Sequence, residues 1–187
     1  MGYSERVTPD KVYAETDCIA PDDIRGYELL VVRNGMKKRG SGQMLCLVTE
    51  ADTSFSKLES RFPVLDVRKN QRMYCNKRDI MGVLNPERIS EKDCLLLGLI
   101  KPIEDTGVQK GKPIGFFGYC FLKNGTYQGA VHLSSKRELE AYVKLQSRYQ
   151  YRLMICDSDD YIVLEVEEGS VVFPTKEMLE KEGGNEE

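Results

Sequence analysis

The 187-residue chain has no tryptophan and a single histidine, His132. One imidazole cannot build a histidine-rich metal site, and any imidazole general base has to be this residue. The six cysteines, Cys18, Cys46, Cys75, Cys94, Cys120 and Cys156, include no C-x-x-C pair, and their wide spacing writes down no local zinc or iron–sulfur site. No metal and no cofactor is therefore expected. Long apolar runs are missing as well. The run Leu95 to Ile100 is broken by Gly98 and falls far short of the roughly 20 residues that cross a bilayer. The leading segment is interrupted by Glu5, Arg6, Asp10 and Lys11, so it lacks the apolar centre of a signal peptide, and Arg6 stands where a myristoylation signal needs Ser or Thr. The expectation is a cytoplasmic chain with free cysteines and no membrane contact.

What is present reads as a globular domain. Hydrophobic residues make up 41% and charged residues 30%, and a chain of this length buries roughly 70% of the surface its unfolded form exposes, enough for one core. We expect one domain over residues 1–187. A polar segment, Lys101 to Lys112, could connect two subdomains, and residues 180–187 form a flexible acidic tail.

The pattern predicts an α+β fold, a mostly antiparallel sheet with helices packed on one side. Thr8 and Pro9 open a short helix through about Thr16. Tyr27 to Arg33 and Gln43 to Thr49 are β-rich and form a long-looped hairpin. Phe55, Leu58 and Phe62 fit one face of a helix from Thr53 to Phe62, which Pro63 stops. Val64 to Val67 and Arg72 to Cys75 read as strands, Asn76 as the cap of a helix carrying Ile80, Val83 and Leu84, and Cys94 to Ile100 as a buried strand.

The C-terminal part reads as a ββαβββ unit. Ile114 to Leu122 and Tyr127 to Leu133 flank Asn124-Gly125, a strong hairpin signal that pairs Leu122 with Tyr127. Ser135 and Glu138 form a capping box for a helix to about Gln150, with Leu139, Tyr142, Val143 and Tyr149 on its apolar face and Glu140 spaced to pair with Lys144. Tyr151 to Cys156, Tyr161 to Val166 and Val171 to Phe173 make a meander. If Cys156 faces Tyr161, Leu153 meets Leu164, Ile155 meets Ile162, and Arg152 meets Glu165.

Candidate chemistry is sparse. Cys120 and His132 are the one Cys–His pair close in sequence, and an imidazole can generate a nucleophilic thiolate. The hairpin register opposes this: Cys120 falls opposite Gly129, and His132 opposite Phe117 on the other face. Asp157, Asp159 and Asp160 lack the Gly and terminal Glu of a calcium loop and read as a turn. Gly35 to Gly42 has Ser41 where a phosphate-binding loop needs Lys.

Charge is more informative. Between Arg33 and Arg78 eleven Lys or Arg face four acids, in a chain whose net charge is −3. Arg33, Lys37, Lys38, Arg39, Arg68, Lys69, Arg72, Lys77 and Arg78 could converge and neutralise phosphates. Three functional expectations follow. The first is a non-enzymatic binding or protein-interaction module, with regulatory roles open to it, because both faces of the hairpin Ile114 to Leu133 are apolar or aromatic, Phe117, Tyr119 and Phe121 on one and Cys120, Leu122, Tyr127 and Val131 on the other, and one of them can meet a protein partner or a second copy. The second is a nucleic-acid-associated protein using the basic region. The third is a cysteine-dependent enzyme using Cys120 and His132.

Overall fold

The computed structural model describes residues 11–21, 24–33, 43–49, 59–104 and 115–178. It is an α+β protein with two antiparallel sheets. The six-stranded sheet contains β1 (Cys18–Ile19), β2 (Leu29–Arg33), β3 (Gln43–Leu47), β4 (Arg61–Asp66), β5 (Gln71–Asn76) and β6 (Ile80–Leu84), in the order β1-β6-β2-β3-β4-β5. Helix α1 (Glu91–Gly98) leads to the second sheet, whose strands β7 (Phe116–Phe121), β8 (Ala130–Leu133), β9 (Arg152–Cys156), β10 (Ile162–Glu167) and β11 (Ser170–Phe173) lie in the order β11-β10-β9-β7-β8. Helix α2 (Lys136–Tyr149) stands between β8 and β9, which completes the ββαβββ unit.

The first sheet cannot be flat. Four strand spacings, about 19 Å, would separate β5 from β6 in a flat sheet. One 3-10 turn, Lys77–Asp79, joins them, and at about 2 Å per residue it spans less than half that distance. The sheet therefore curls into a roll. Leu30, Val32, Cys46, Phe62, Val64, Cys75 and Val83 pack together on its inside. The alternate residues Leu29, Val31, Leu45, Leu47, Leu65 and Leu84 pack outward against Leu97 and Ile100 near α1 and against Leu145 and Tyr149 of α2. Burial on both faces explains why β2 reads LLVV without alternation. The opposite side of α2 packs Tyr142 onto Cys120, Val131, Leu133, Leu153 and Ile155 of the second sheet. The helices thus form a layer between two sheets, and each sheet sees them on one side.

Several predicted elements differ. Residues 11–14 are not helical and lead into a 3-10 turn at Glu15–Asp17; Thr8 to Asp10 lie outside the described residues. So does most of the Thr53 to Phe62 helix, while its end, Arg61 and Phe62, begins β4 with Pro63 inside the strand. Ile80 to Leu84 is a strand rather than a helix. Its β-branched residues suit a pleated surface, and Gly82 lets the β1 backbone approach, since a Cβ there would lie 2.7 Å from the Ile19 carbonyl oxygen. Cys94 to Ile100 is the converse error. Ser90 Oγ accepts from the Asp93 amide at 3.2 Å and starts α1, and an unbranched Leu run favours helix once a cap exists.

In the C-terminal unit the predicted hairpin pairing holds over the strands, with Phe117 opposite His132 and Tyr119 opposite Ala130. The turn differs: the Leu122 amide donates to Thr126 O at 2.8 Å. Gly129 then adopts φ 151°, and Tyr127 crosses to the Tyr119 side instead of sharing the Cys120 face. Ser135 Oγ accepts from the Glu138 amide at 3.1 Å, as the capping box requires. The carboxylate of Glu138 accepts from the amide and hydroxyl of Ser134, both at 2.7 Å. Glu140 pairs with Lys136 rather than Lys144, whose ammonium lies 5.6 Å from the Tyr27 ring centre. In the meander, Ile162 rather than Tyr161 faces Cys156, and a bulge between Ile162 and Leu164 adds a second residue of shift, so the pairs become Leu164–Ile155 and Val166–Leu153. Ile162 becomes exposed. Arg152 Nε still reaches Glu165 at 2.6 Å, now as a diagonal pair.

Candidate functional site

The Cys120–His132 pair does not assemble. Cys120 points under α2, where its sulfur lies 3.2 Å from the Tyr142 hydroxyl, and burial pushes its thiol up to about 12. That hydroxyl donates to Gly98 O at 2.6 Å, tying α2 to the end of α1. His132 is exposed on the other face, 5.2 Å from the Phe117 ring. All six cysteines are free, and burial raises the pKa of every one of them. A nucleophilic thiol needs the opposite environment. Among the described residues no group of three or more His, Cys, Asp or Glu could hold a metal ion, and no helix is long and apolar enough to cross a membrane.

The basic residues divide. Arg68 sits in the tight β4–β5 hairpin and turns inward, where its Nε and Nη2 each donate to the Asp93 carboxylate at 2.9 Å. Asp93 also accepts from the Tyr13 hydroxyl at 2.5 Å and from Ser90 Oγ at 2.9 Å. Burial opposes ionisation of Asp93, but the hydrogen bonds and charge of Arg68, with those of Tyr13 and Ser90, hold its carboxyl below the usual range. Burial and the bond to Asp93 push Tyr13 up to about 12. This network staples the start of α1 to the roll. Lys69 pairs with Asp66 at 3.6 Å in the same turn. Arg72 lies near that turn, opposite Leu65. Lys37, Lys38 and Arg39 lie outside the described residues.

Arg33 and Arg78 come together at the mouth of the roll, beside a cleft of about 480 Å³ that Arg61 and Tyr74 also line. Lys77 and Arg78 border an adjoining cleft of about 690 Å³. Arg61 stands two residues before Pro63, and reading that proline as a helix stop hid its position at the head of a strand.

The second sheet presents a different surface. Its face toward α2 carries Cys120, Val131, Leu153 and Ile155. Strand alternation turns Phe117, Tyr119 and Phe121 the other way, beside Met154 and Arg152 of β9, their register partners for Tyr119 and Phe121. These five side chains are all half-buried. Tyr127, 54% exposed, bridges the strip, with its ring 6.5 Å from Tyr119 and 5.3 Å from Phe121. The guanidinium of Arg152 lies 5.6 Å from the Phe121 ring. Burial and the nearby Asp160 carboxylate raise the Tyr119 pKa. Glu165 stands on the same face, opposite Met154 and accepting from Arg152 Nε at 2.6 Å. No family model, curated protein or solved structure matches the chain.

Proposed function

We propose that this protein is a non-enzymatic interaction module that docks a partner protein on the outer face of its second sheet. The observation that carries the reading is the strip Phe117, Tyr119 and Phe121 with Tyr127 across it, turned away from both helices. Aromatic residues, Met and Arg are enriched at the centres of protein interfaces, where Asp, Glu and Lys are depleted. Phe117, Tyr119, Phe121, Tyr127, Met154 and Arg152 match that composition. Asp160 near Tyr119, Glu165 bonded to Arg152, and Glu167 beside Phe121 add acidic groups to this face. The complementary partner is a segment with aliphatic or aromatic residues at its centre and Lys or Arg at its ends. The six free thiols fit a reducing, cytoplasmic setting.

Selection from a random peptide library tests the reading. Binders should combine apolar residues with Lys or Arg, and Tyr127→Ala should weaken them about 30-fold, the cost of losing a central aromatic contact. A Phe117→Ala variant should behave similarly. Binders that tolerate both substitutions would overturn the proposal.

A further inference from the structure

We infer that the mouth of the roll is a second, separate binding site, for a phosphate-bearing nucleotide. Its floor is apolar and soft, formed by Val32, Met44 and Met73. Its walls carry three guanidinium groups, from Arg33, Arg61 and Arg78, against one lining carboxylate, Asp79. Asp79 accepts from Asn76 Nδ2 at 3.0 Å and lies 3.9 Å from Arg78 Nε. Arg33 is held at 2.6 Å by Glu15, an ion pair in which both side chains are mostly exposed, so a phosphate can share or replace that carboxylate with little loss.

Arginine clusters suit phosphate because each planar fork gives two parallel hydrogen bonds. Phosphate alone, however, leaves the floor unexplained. Tyr74 is 59% exposed beside the cleft, and the Arg61 guanidinium lies 5.4 Å from its ring centre. A tyrosine and an arginine plane next to two thioethers form a stacking surface for a flat, polarisable base. The cleft of about 480 Å³ falls within the roughly 300–1,000 Å³ usual for small-ligand sites. Lys77 and Arg78 border the adjoining cleft, which gives a second phosphate a place to go. Base plus phosphate on one side and further cations beyond it describe one nucleotide of a single strand. A free nucleotide offers the same chemistry at the first position only.

Fluorescence anisotropy on the whole chain tests this with three probes: a labelled ten-nucleotide single strand, the matching duplex, and adenosine monophosphate as competitor. The single strand should bind at low salt, with log K falling against log salt at a slope of about −2 for three arginine contacts. Arg78→Ala should reduce the slope by a little under 1. Tyr74→Ala should weaken the single strand about 5- to 100-fold, while Tyr74→Phe, which keeps the ring, should not. Strand binding that the monophosphate displaces only at large excess identifies a strand as ligand; monophosphate binding as tight as the strand's identifies the free nucleotide. Absence of binding by either would overturn the inference. So would binding that Tyr74→Ala and Arg78→Ala leave unchanged, or a preference for duplex. None of these results bears on the peptide surface of the second sheet, which the Tyr127 variants read separately.

Discussion

Gly118 is the tightest point of the second sheet, and replacing it with alanine should be severe. It pairs with Val131 on one side and Ile155 on the other. An added Cβ would lie 2.3 Å from Tyr142 Cε1 and 2.9 Å from Cζ. The ring has no room to retreat, because Tyr142 is fully buried and its hydroxyl is bonded to Gly98 O. Overpacking a tight core costs about 2 kcal/mol, and dragging the hydroxyl from a buried carbonyl adds about 2 kcal/mol. The expected loss is their sum, about 4 kcal/mol, with α2 rather than β7 moving. Urea unfolding followed by far-UV circular dichroism should show the midpoint falling by about 2 M, at a slope of about 2 kcal/mol per M. The double variant Gly118→Ala, Tyr142→Leu separates this cause from a general dislike of alanine in the strand. Removing the ring makes space for the methyl and already forfeits the hydroxyl bond, so the double variant should be more stable than the sum of the single losses by about 4 kcal/mol. A Gly118→Ala protein within 0.5 kcal/mol of the parent, or strictly additive losses, would refute the packing described here.

Three further outcomes follow. Asp93→Asn removes the charge that Arg68 answers at the start of α1, and should cost about 3 kcal/mol at neutral pH, read from the same urea midpoints. Because the folded Asp93 carboxyl is held below its usual range, its contribution is complete above about pH 5 and is lost as pH falls through the folded value. The gap between parent and Asp93→Asn should therefore narrow in acid, and a constant gap would contradict the network. In timed alkylation of the native protein, Cys18 should react before the five buried cysteines; early labelling of Cys120, read by mass spectrometry, would restore the thiol-enzyme reading. Leu122→Ala should be destabilising by about 2 to 3 kcal/mol while Lys123→Ala stays within 0.5 kcal/mol in thermal melts, since the first is buried and the second exposed.

Local signals carried the C-terminal unit because each one had a short reach. Asn124-Gly125 and the Ser135–Glu138 cap each fix neighbours within a few residues. The roll depends on contacts that sequence pattern does not encode. Both faces of β2 and β3 are buried, so they lack alternation, and nothing in Lys77–Asp79 announces that the sheet must close over it. Cys94 to Ile100 turned on Ser90, whose capping value depends on Tyr13 and Arg68 arriving from distant segments to hold Asp93. The aromatic strip was half legible. Alternation placed Phe117, Tyr119 and Phe121 together, but Gly129 at φ 151° brought Tyr127 to them against the simple register. Of the basic residues, composition could find the cluster but not sort it. Arg68 and Lys69 answer internal carboxylates, whereas Arg33 and Arg78 line the mouth with Arg61.

The central claim is that the outer face of the second sheet receives a partner. Amide chemical-shift mapping with a selected apolar, basic peptide tests it most directly. The account predicts saturable shifts confined to residues 117–132 and 152–165, with those of Phe117, Tyr119, Phe121 and Tyr127 the largest. Shifts centred instead on the roll, or on the α2 side of the sheet, would contradict it.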